Sequence, residues 1–178
     1  MIKHVVITGT SRGIGFALAQ LFAASGHEVL ALSRRTDSIR ALGLKNCHTL
    51  ACDITNQDDL NKAESFVADH WPQVDIVINN AGFLINKPFT QLTANDMQRM
   101  YAVNTFGPIA LIQTLMPMMA KDGHVVSLSS MGGVQGSAKF AGLTGYSSSK
   151  GALNVLSEVL AEEYKDQGLK FNVLALGA

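Results

Sequence analysis

The stretch that most restricts the fold is Thr8-Gly9-Thr10-Ser11-Arg12-Gly13-Ile14-Gly15. It follows a continuous β-branched run, Val5-Val6-Ile7, within residues 3–8. Such a run, without polar alternation, is what a strand shows when both faces of its sheet are covered. Behind the glycines a helical pattern begins, with Phe16, Leu18, Ala19, Leu21 and Phe22 on its apolar side, and Gly26 ends it. The glycines predict a backbone that a ligand can approach closely. The helix N-terminus then offers free N–H groups and a partial positive charge to a diphosphate. A tight turn without a ligand is the plainer alternative; three glycines in register with strand and helix weigh against it.

Strand and helix patterns alternate along the rest of the chain. Strands are predicted over 28–33, around 48–51, and over 74–78, 123–129 and 170–176. A short helix follows the second strand. Asn56 is placed to cap a helix reaching His70, and Thr93-Ala94-Asn95-Asp96 resembles a capping box opening a long helix to about Met119. Pro108 is expected to kink that helix. The last helix, carrying Tyr146 and Lys150, runs to about Gln167. This order predicts a doubly wound parallel β-sheet with helices on both faces. With 178 residues it is read as one dinucleotide-binding domain spanning 1–178.

Open sheets of this kind bind ligands at the carboxyl ends of their strands. In a dinucleotide fold an acid at the end of the second strand selects NAD, and a nearby Arg accommodates the extra phosphate of NADP. Here that position reads Ser33-Arg34-Arg35 with no carboxylate, and Arg12 adds a cation in the glycine turn. Solvated loop charges are the alternative. Asp53-Ile54 ends the third strand, where Asp53 either accepts from an adenine amino group or closes a turn. Asn79-Asn80-Ala81-Gly82 ends the fourth, and Ser129-Ser130 the fifth. Asn104 falls inside a helix, a site Asn does not favour. Asp58-Asp59 reads as first-turn charge on its helix rather than a catalytic pair. The methionines Met97, Met100, Met116, Met118 and Met119 read as core or subunit packing.

Tyr146 and Lys150 stand four apart, on one face of a helix. A neighbouring ammonium stabilises phenolate and is expected to lower the Tyr146 pKa toward the range of a working acid or base. A solvated surface pair is the alternative. Composition narrows the partners. The chain is 47% apolar and 16% charged with formal net charge zero and no basic block, which argues against nucleic acid or an anionic membrane. Cys47 and Cys52 fit no zinc or redox spacing and read as thiols in a reducing cytosol, so a cytoplasmic location is expected. The five histidines show no ligand spacing, so no metal is expected. No apolar run of membrane-spanning length and no signal-peptide pattern is seen.

Taken together, Thr8-Gly9-x-x-x-Gly13-x-Gly15, Asp53, Asn79-Asn80-Ala81-Gly82, Asn104, Ser129-Ser130 and Tyr146-x-x-x-Lys150 resemble the short-chain dehydrogenases/reductases, across essentially the whole chain. The resemblance implies a Rossmann-like fold and hydride transfer between NAD(P)(H) and a small carbonyl or alcohol. It implies Tyr146 as general acid or base, with Lys150 holding the nicotinamide ribose and lowering the Tyr146 pKa. Ser130 would bond the substrate oxygen, and Asn104 would hold a water in a proton relay. Gly9, Ser11, Arg12 and Ile14, with Gly13 and Gly15, would line the diphosphate. Asp53, Ile54, Asn80, Ala81 and Gly82 would lie along the cofactor. Ser33 and Arg34 with Arg12 look like the variant preferring NADP(H) over NAD(H). A homodimer or homotetramer packed through the helices of Asn104 and Tyr146 is implied.

Three departures stand out. The family serine usually lies thirteen residues before its tyrosine, where this chain has Gly133; Ser130 is preferred, with Ser129 as runner-up. The sixth strand leads into Leu176-Gly177 where the family has Pro-Gly. The usual C-terminal substrate lid and last strand are missing from this sequence. The competing readings are a non-catalytic dinucleotide-binding module that senses redox state, and an epimerase or dehydratase of the related larger fold.

Overall fold

The computed structural model describes residues 1–177; Ala178 lies outside the described residues. Six strands form one parallel sheet: β1 (His4–Thr8), β2 (Glu28–Ser33), β3 (Cys47–Ala51), β4 (Val74–Asn79), β5 (Met119–Ser130) and β6 (Lys170–Leu176). Their spatial order is β3-β2-β1-β4-β5-β6. The chain builds outward from β1 to β3, then crosses back to lay β4 against the other side of β1. That reversal opens a crevice at the carboxyl ends of β1 and β4, the usual ligand position in open α/β sheets.

Alternate strand residues feed two cores. On one face Val6, Leu30, Leu32, Val77, Val125 and Phe171 pack against Leu60, Ala63 and Val67 of α3 (Gln57–His70) and against Leu111, Ile112 and Leu115 of α5 (Gly107–Leu115). On the other Val5, Ile7, Val29, Ala31, Ile78 and Leu128 pack against Ala19 and Ala23 of α1 (Gly13–Ala24). Among the described residues this second face is not fully covered at β6, where Leu174 and Leu176 are exposed. A short helix, α2 (Asp37–Arg40), follows β2.

The caps form as expected. Asn56 accepts from the amides of Asp58 and Asp59 at the start of α3. Thr93 and Asp96 make a reciprocal capping box at α4 (Ala94–Tyr101). Each such cap contributes about 1 kcal/mol. The expected kink at Pro108 takes a different form. Ala102–Phe106 is a π-helical turn between α4 and α5, and Pro108 sits in the first turn of α5. Pro108 has no N–H to give the carbonyl four residues back, that of Asn104, so the irregularity falls just before the proline. The helix closes with a 3-10 turn at Met116–Met118, and β5 starts at Met119, four residues earlier than its apolar run indicates. The last helix, α6 (Thr144–Glu163), ends in a separate 3-10 turn, Lys165–Gln167. Met100 is fully buried, and Met116, Met118 and Met119 pack against the first core.

Gly15 holds α1 against the strand ends. A Cβ there would lie 2.6 Å from the Gly9 carbonyl oxygen and would also strike the Asn80 amide nitrogen. That amide is fixed by its own hydrogen bonds to Thr8 O (2.8 Å) and Gly9 O (3.1 Å). Gly15→Ala is therefore expected to destabilise the fold by roughly 1–3 kcal/mol, read as a lower urea midpoint at unchanged m-value.

Candidate active site

The glycine turn is held from three sides. Gly9 and Thr10 donate their amides to Leu32 O at the end of β2 (2.8 and 3.3 Å). Ser38 of α2 donates its hydroxyl to Ser11 O (2.6 Å). From β4, Asn80 and Ala81 donate their amides to Thr8 Oγ1, both at 3.0 Å. Gly9 and Gly13 adopt φ of +73° and +64°, which side chains other than glycine rarely tolerate. Helix α1 begins here with no side-chain cap and no acid in its first turn, unlike α3 and α4. Its unsatisfied amides and dipole are thus available to an anion.

Above this turn lies a cleft of about 690 Å³. Gly9, Ser11, Arg12, Gly13, Ile14, Ser33, Arg34, Asp53, Ile54, Asn80, Ala81, Gly82 and Tyr146 all line it. Gly15 does not; it is buried beneath, where it packs the helix. The Ser33 hydroxyl is spent on the turn after β2, donating to Arg35 O (2.7 Å). Asp53 uses Oδ1 to accept from the Thr55 amide (3.0 Å) and hydroxyl (2.7 Å), so it closes a turn at the cleft edge. Ile54 is seated by Gly107, where a Cβ would come within 2.8 Å of its side chain. Asp58 and Asp59 serve α3: Asp59 accepts from the Asp53 amide (3.0 Å) and pairs with Lys62 (2.6 Å). Burial pushes the Cys52 thiol up to about 11, so this cleft cysteine is unreactive near neutrality.

Tyr146 and Lys150 lie on the first turns of α6, but they are not a surface pair. Tyr146 is half-buried and Lys150 only 3% exposed. Gly145 admits this packing, since a Cβ there would press on Met97 Sδ at 2.8 Å and on the Met100 side chain. Lys150 Nζ donates to Leu128 O (2.7 Å), and burial lowers its pKa to about 8. A Cβ at Gly82 would be 3.9 Å from that same Nζ. The expected lowering of the Tyr146 pKa by Lys150 is not found. Burial raises it, and hydrogen bonding with Ser130 opposes the rise. The ammonium is turned to a strand carbonyl, so it does not offset the desolvation of the phenolate.

The strand pleat separates the two serines. Ser129 is buried and donates to Lys150 O (3.3 Å), while Ser130 is the one beside the Tyr146 hydroxyl. Gly133, at the usual serine spacing, has no room for a side chain: a Cβ would sit 2.7 Å from the Gly151 nitrogen. Asn104 is fully buried behind the cleft. Its Oδ1 accepts from Phe83 N–H and its Nδ2 donates to Phe83 O, both at 2.8 Å, with a further bond to Ser149 Oγ (3.0 Å). Sequence reasoning missed Phe83, Leu84, Arg99 and Val103 in the cleft wall. No local pattern marks Arg99, which reaches the cleft wall through its stacking on the Phe83 ring.

A dinucleotide-type crevice with a Tyr/Lys/Ser cluster at one end defines a class: the nucleotide-binding α/β oxidoreductase-like proteins. The family model for short chain dehydrogenases matches residues 3–178, and the chain belongs to that family. It is 31% identical to Oxidoreductase BOA17 of Botryotinia fuckeliana, over 99% of this chain and 66% of that protein. It is 33% identical to the 7alpha-hydroxysteroid dehydrogenase of Escherichia coli K12, over 99% of this chain and 71% of that one. A crystal structure of a short-chain dehydrogenase from Streptomyces avermitilis superposes with a TM-score of 0.92 at 32% identity, covering 100% of this chain and 66% of its own. The chain thus spans about two thirds of the length of these relatives. No helix among the described residues is long and apolar enough to cross a membrane.

Lys150 gives the site a pH signature. Its folded pKa of about 8 lies below the ordinary lysine value of 10.5. Between those limits the unfolded chain binds the extra proton, so stability is expected to rise with pH through this window. The full gain is roughly 3 kcal/mol. Denaturation followed from pH 7.5 to 9, below the range where the buried Cys52 thiol titrates and opposes the trend, checks its rising limb, and Lys150→Met should flatten the rise.

Proposed function

We propose that this chain carries the cofactor-binding and catalytic machinery of an oxidoreductase that transfers a hydride between NADP(H) and a small carbonyl or alcohol compound. The reading rests chiefly on the convergence of Tyr146, Ser130 and buried Lys150 at one end of the cleft that the glycine turn opens. Family membership and relatives with dehydrogenase names support it. The donor set fits a dinucleotide: an uncapped helix N-terminus and positive-φ glycines for the diphosphate, and Arg12, Arg34 and Arg35 for a further phosphate.

When bound, the nicotinamide supplies or accepts the hydride. Ser130 would hold the substrate oxygen and stabilise charge developing there. Tyr146, neutral because burial keeps its pKa high, would donate the phenolic proton to that oxygen during reduction. In alcohol oxidation it would take the proton back, favoured by the positive charges of Lys150 and the oxidised nicotinamide ring. Lys150, beside Gly82, would hold the nicotinamide ribose. Asn104 clamps Phe83 and so shapes the wall; its backbone carbonyl, lacking a donor at Pro108, would hold a water that relays protons toward Lys150. The apolar faces of α5 and α6, including exposed Val155 and Val159, would join copies of the chain into a homodimer or homotetramer.

Tyr146→Phe is expected to lower kcat for carbonyl reduction by roughly 100-fold or more while the NADPH Kd stays within about twofold. Unchanged turnover in that variant would exclude the acid/base role. The parent should bind NADPH more tightly than NADH, and Arg34→Ala should narrow the gap by roughly tenfold. Fluorescence titration of the reduced cofactors measures both, and equal affinities in the parent would refute the phosphate role of the arginines.

A further inference from the structure

The cleft wall is unevenly charged. Arg12, Arg34, Arg35 and Arg99 line it, against the single carboxylate of Asp53. None of these four arginines is ion-paired among the described residues. Three of them flank the glycine turn and the end of β2, where phosphates are expected. Arg99 does not belong to that group. Its guanidinium lies 4.7 Å over the Phe83 ring. Phe83 directly follows Gly82, the residue beside Lys150 Nζ, and Asn104 grips both backbone groups of Phe83. Arg99 is therefore held at the catalytic end of the cleft.

The nearby charges leave that cation uncompensated. Asp96, one turn before Arg99, is committed to Lys87 (2.8 Å) and to the Thr93 amide (3.2 Å), which hold its carboxyl down to about 2. Lys87 is neutralised by the same pair. A stacked arginine keeps its in-plane N–H groups free, and these match a carboxylate or phosphate bidentately. We propose that Arg99 receives an anionic group on the substrate, so that the preferred substrate is a carbonyl or alcohol compound bearing a carboxylate or phosphate away from the reacting carbon. This rests on the oxidoreductase reading above and names its substrate class.

The test uses unbranched keto acids with two to eight methylenes between carbonyl and carboxylate, each paired with its neutral primary amide. Calorimetric titration into protein saturated with NADP+ should find, for at least one length, the acid bound about tenfold tighter than its amide. Added salt should weaken the acid and not the amide. Arg99→Gln should bring the pair to within about twofold, Arg99→Lys should restore part of the difference, and the NADP+ Kd should not move. Equal binding of acid and amide at every length, including no binding of either, overturns the proposal. So does an Arg99→Gln variant that loosens NADP+ as much as the acid, since the cation would then serve the cofactor. A parent protein that binds no NADP(H) at all removes the dinucleotide reading, and this proposal with it; NADP(H) binding without acid preference removes this proposal alone.

Discussion

Everything at the site depends on the seam where β1 meets β4. Thr8 ends β1 and Asn80 follows β4, so these residues are distant in sequence and adjacent at the crevice. Thr8 Oγ1 receives two amides from the β4 side, and the Asn80 side chain returns two bonds to the β1 side. Four part-buried hydrogen bonds across this seam lock the glycine turn to the segment that leads to Gly82 and Phe83. Net contributions of about 1 kcal/mol each are modest, but leaving any of these groups unpaired would cost more. The seam therefore acts mainly by fixing position. It sets the separation between the glycine-turn end of the cleft and the end at Tyr146.

From that seam the active end is assembled by burial. Lys150 is drawn to a β5 carbonyl under α6, and its ammonium loses solvent and proton affinity together. Tyr146, one turn earlier, is held half-buried beside Ser130 and stays neutral. The two groups share a helix face, but burial and Ser130, not Lys150, set the Tyr146 shift. In the proposed reaction such a site would donate a proton readily and would need an added positive charge to accept one. The cationic nicotinamide of an oxidised cofactor would bring such a charge and would so couple the protonation state of the phenol to the redox state of the proposed ligand.

Much of this was legible in the residues. Periodicity and capping chemistry are local, so β2, α3 and β6, the Asn56 cap and the Thr93–Asp96 box were found at or near their observed bounds. The glycine turn was legible for the same reason. The π-helical turn at Asn104 was not, because it reflects a compromise between Pro108 and the buried bonds from Asn104 to Phe83 and Ser149. Gly133 illustrates the limit of spacing arguments. Counting back from the tyrosine lands on it, yet its Cα faces the α6 backbone with no space for a hydroxyl.

The sequence by itself determined the parallel α/β architecture, the glycine turn before α1 and the choice of Tyr146, Lys150, Arg12 and Arg34 as candidate site residues, because each follows from a local pattern of a few residues. Only the tertiary structure decided which serine faces the phenol, since the strand pleat sends Ser129 and Ser130 to opposite sides. It also decided the direction of the Tyr146 shift, because desolvation depends on what packs over the ring. Arg99 entered the site by the same route: its place in the cleft comes from stacking on a residue sixteen positions earlier. Charge balance in a cleft is a property of the whole surface, and no short stretch of chain contains it.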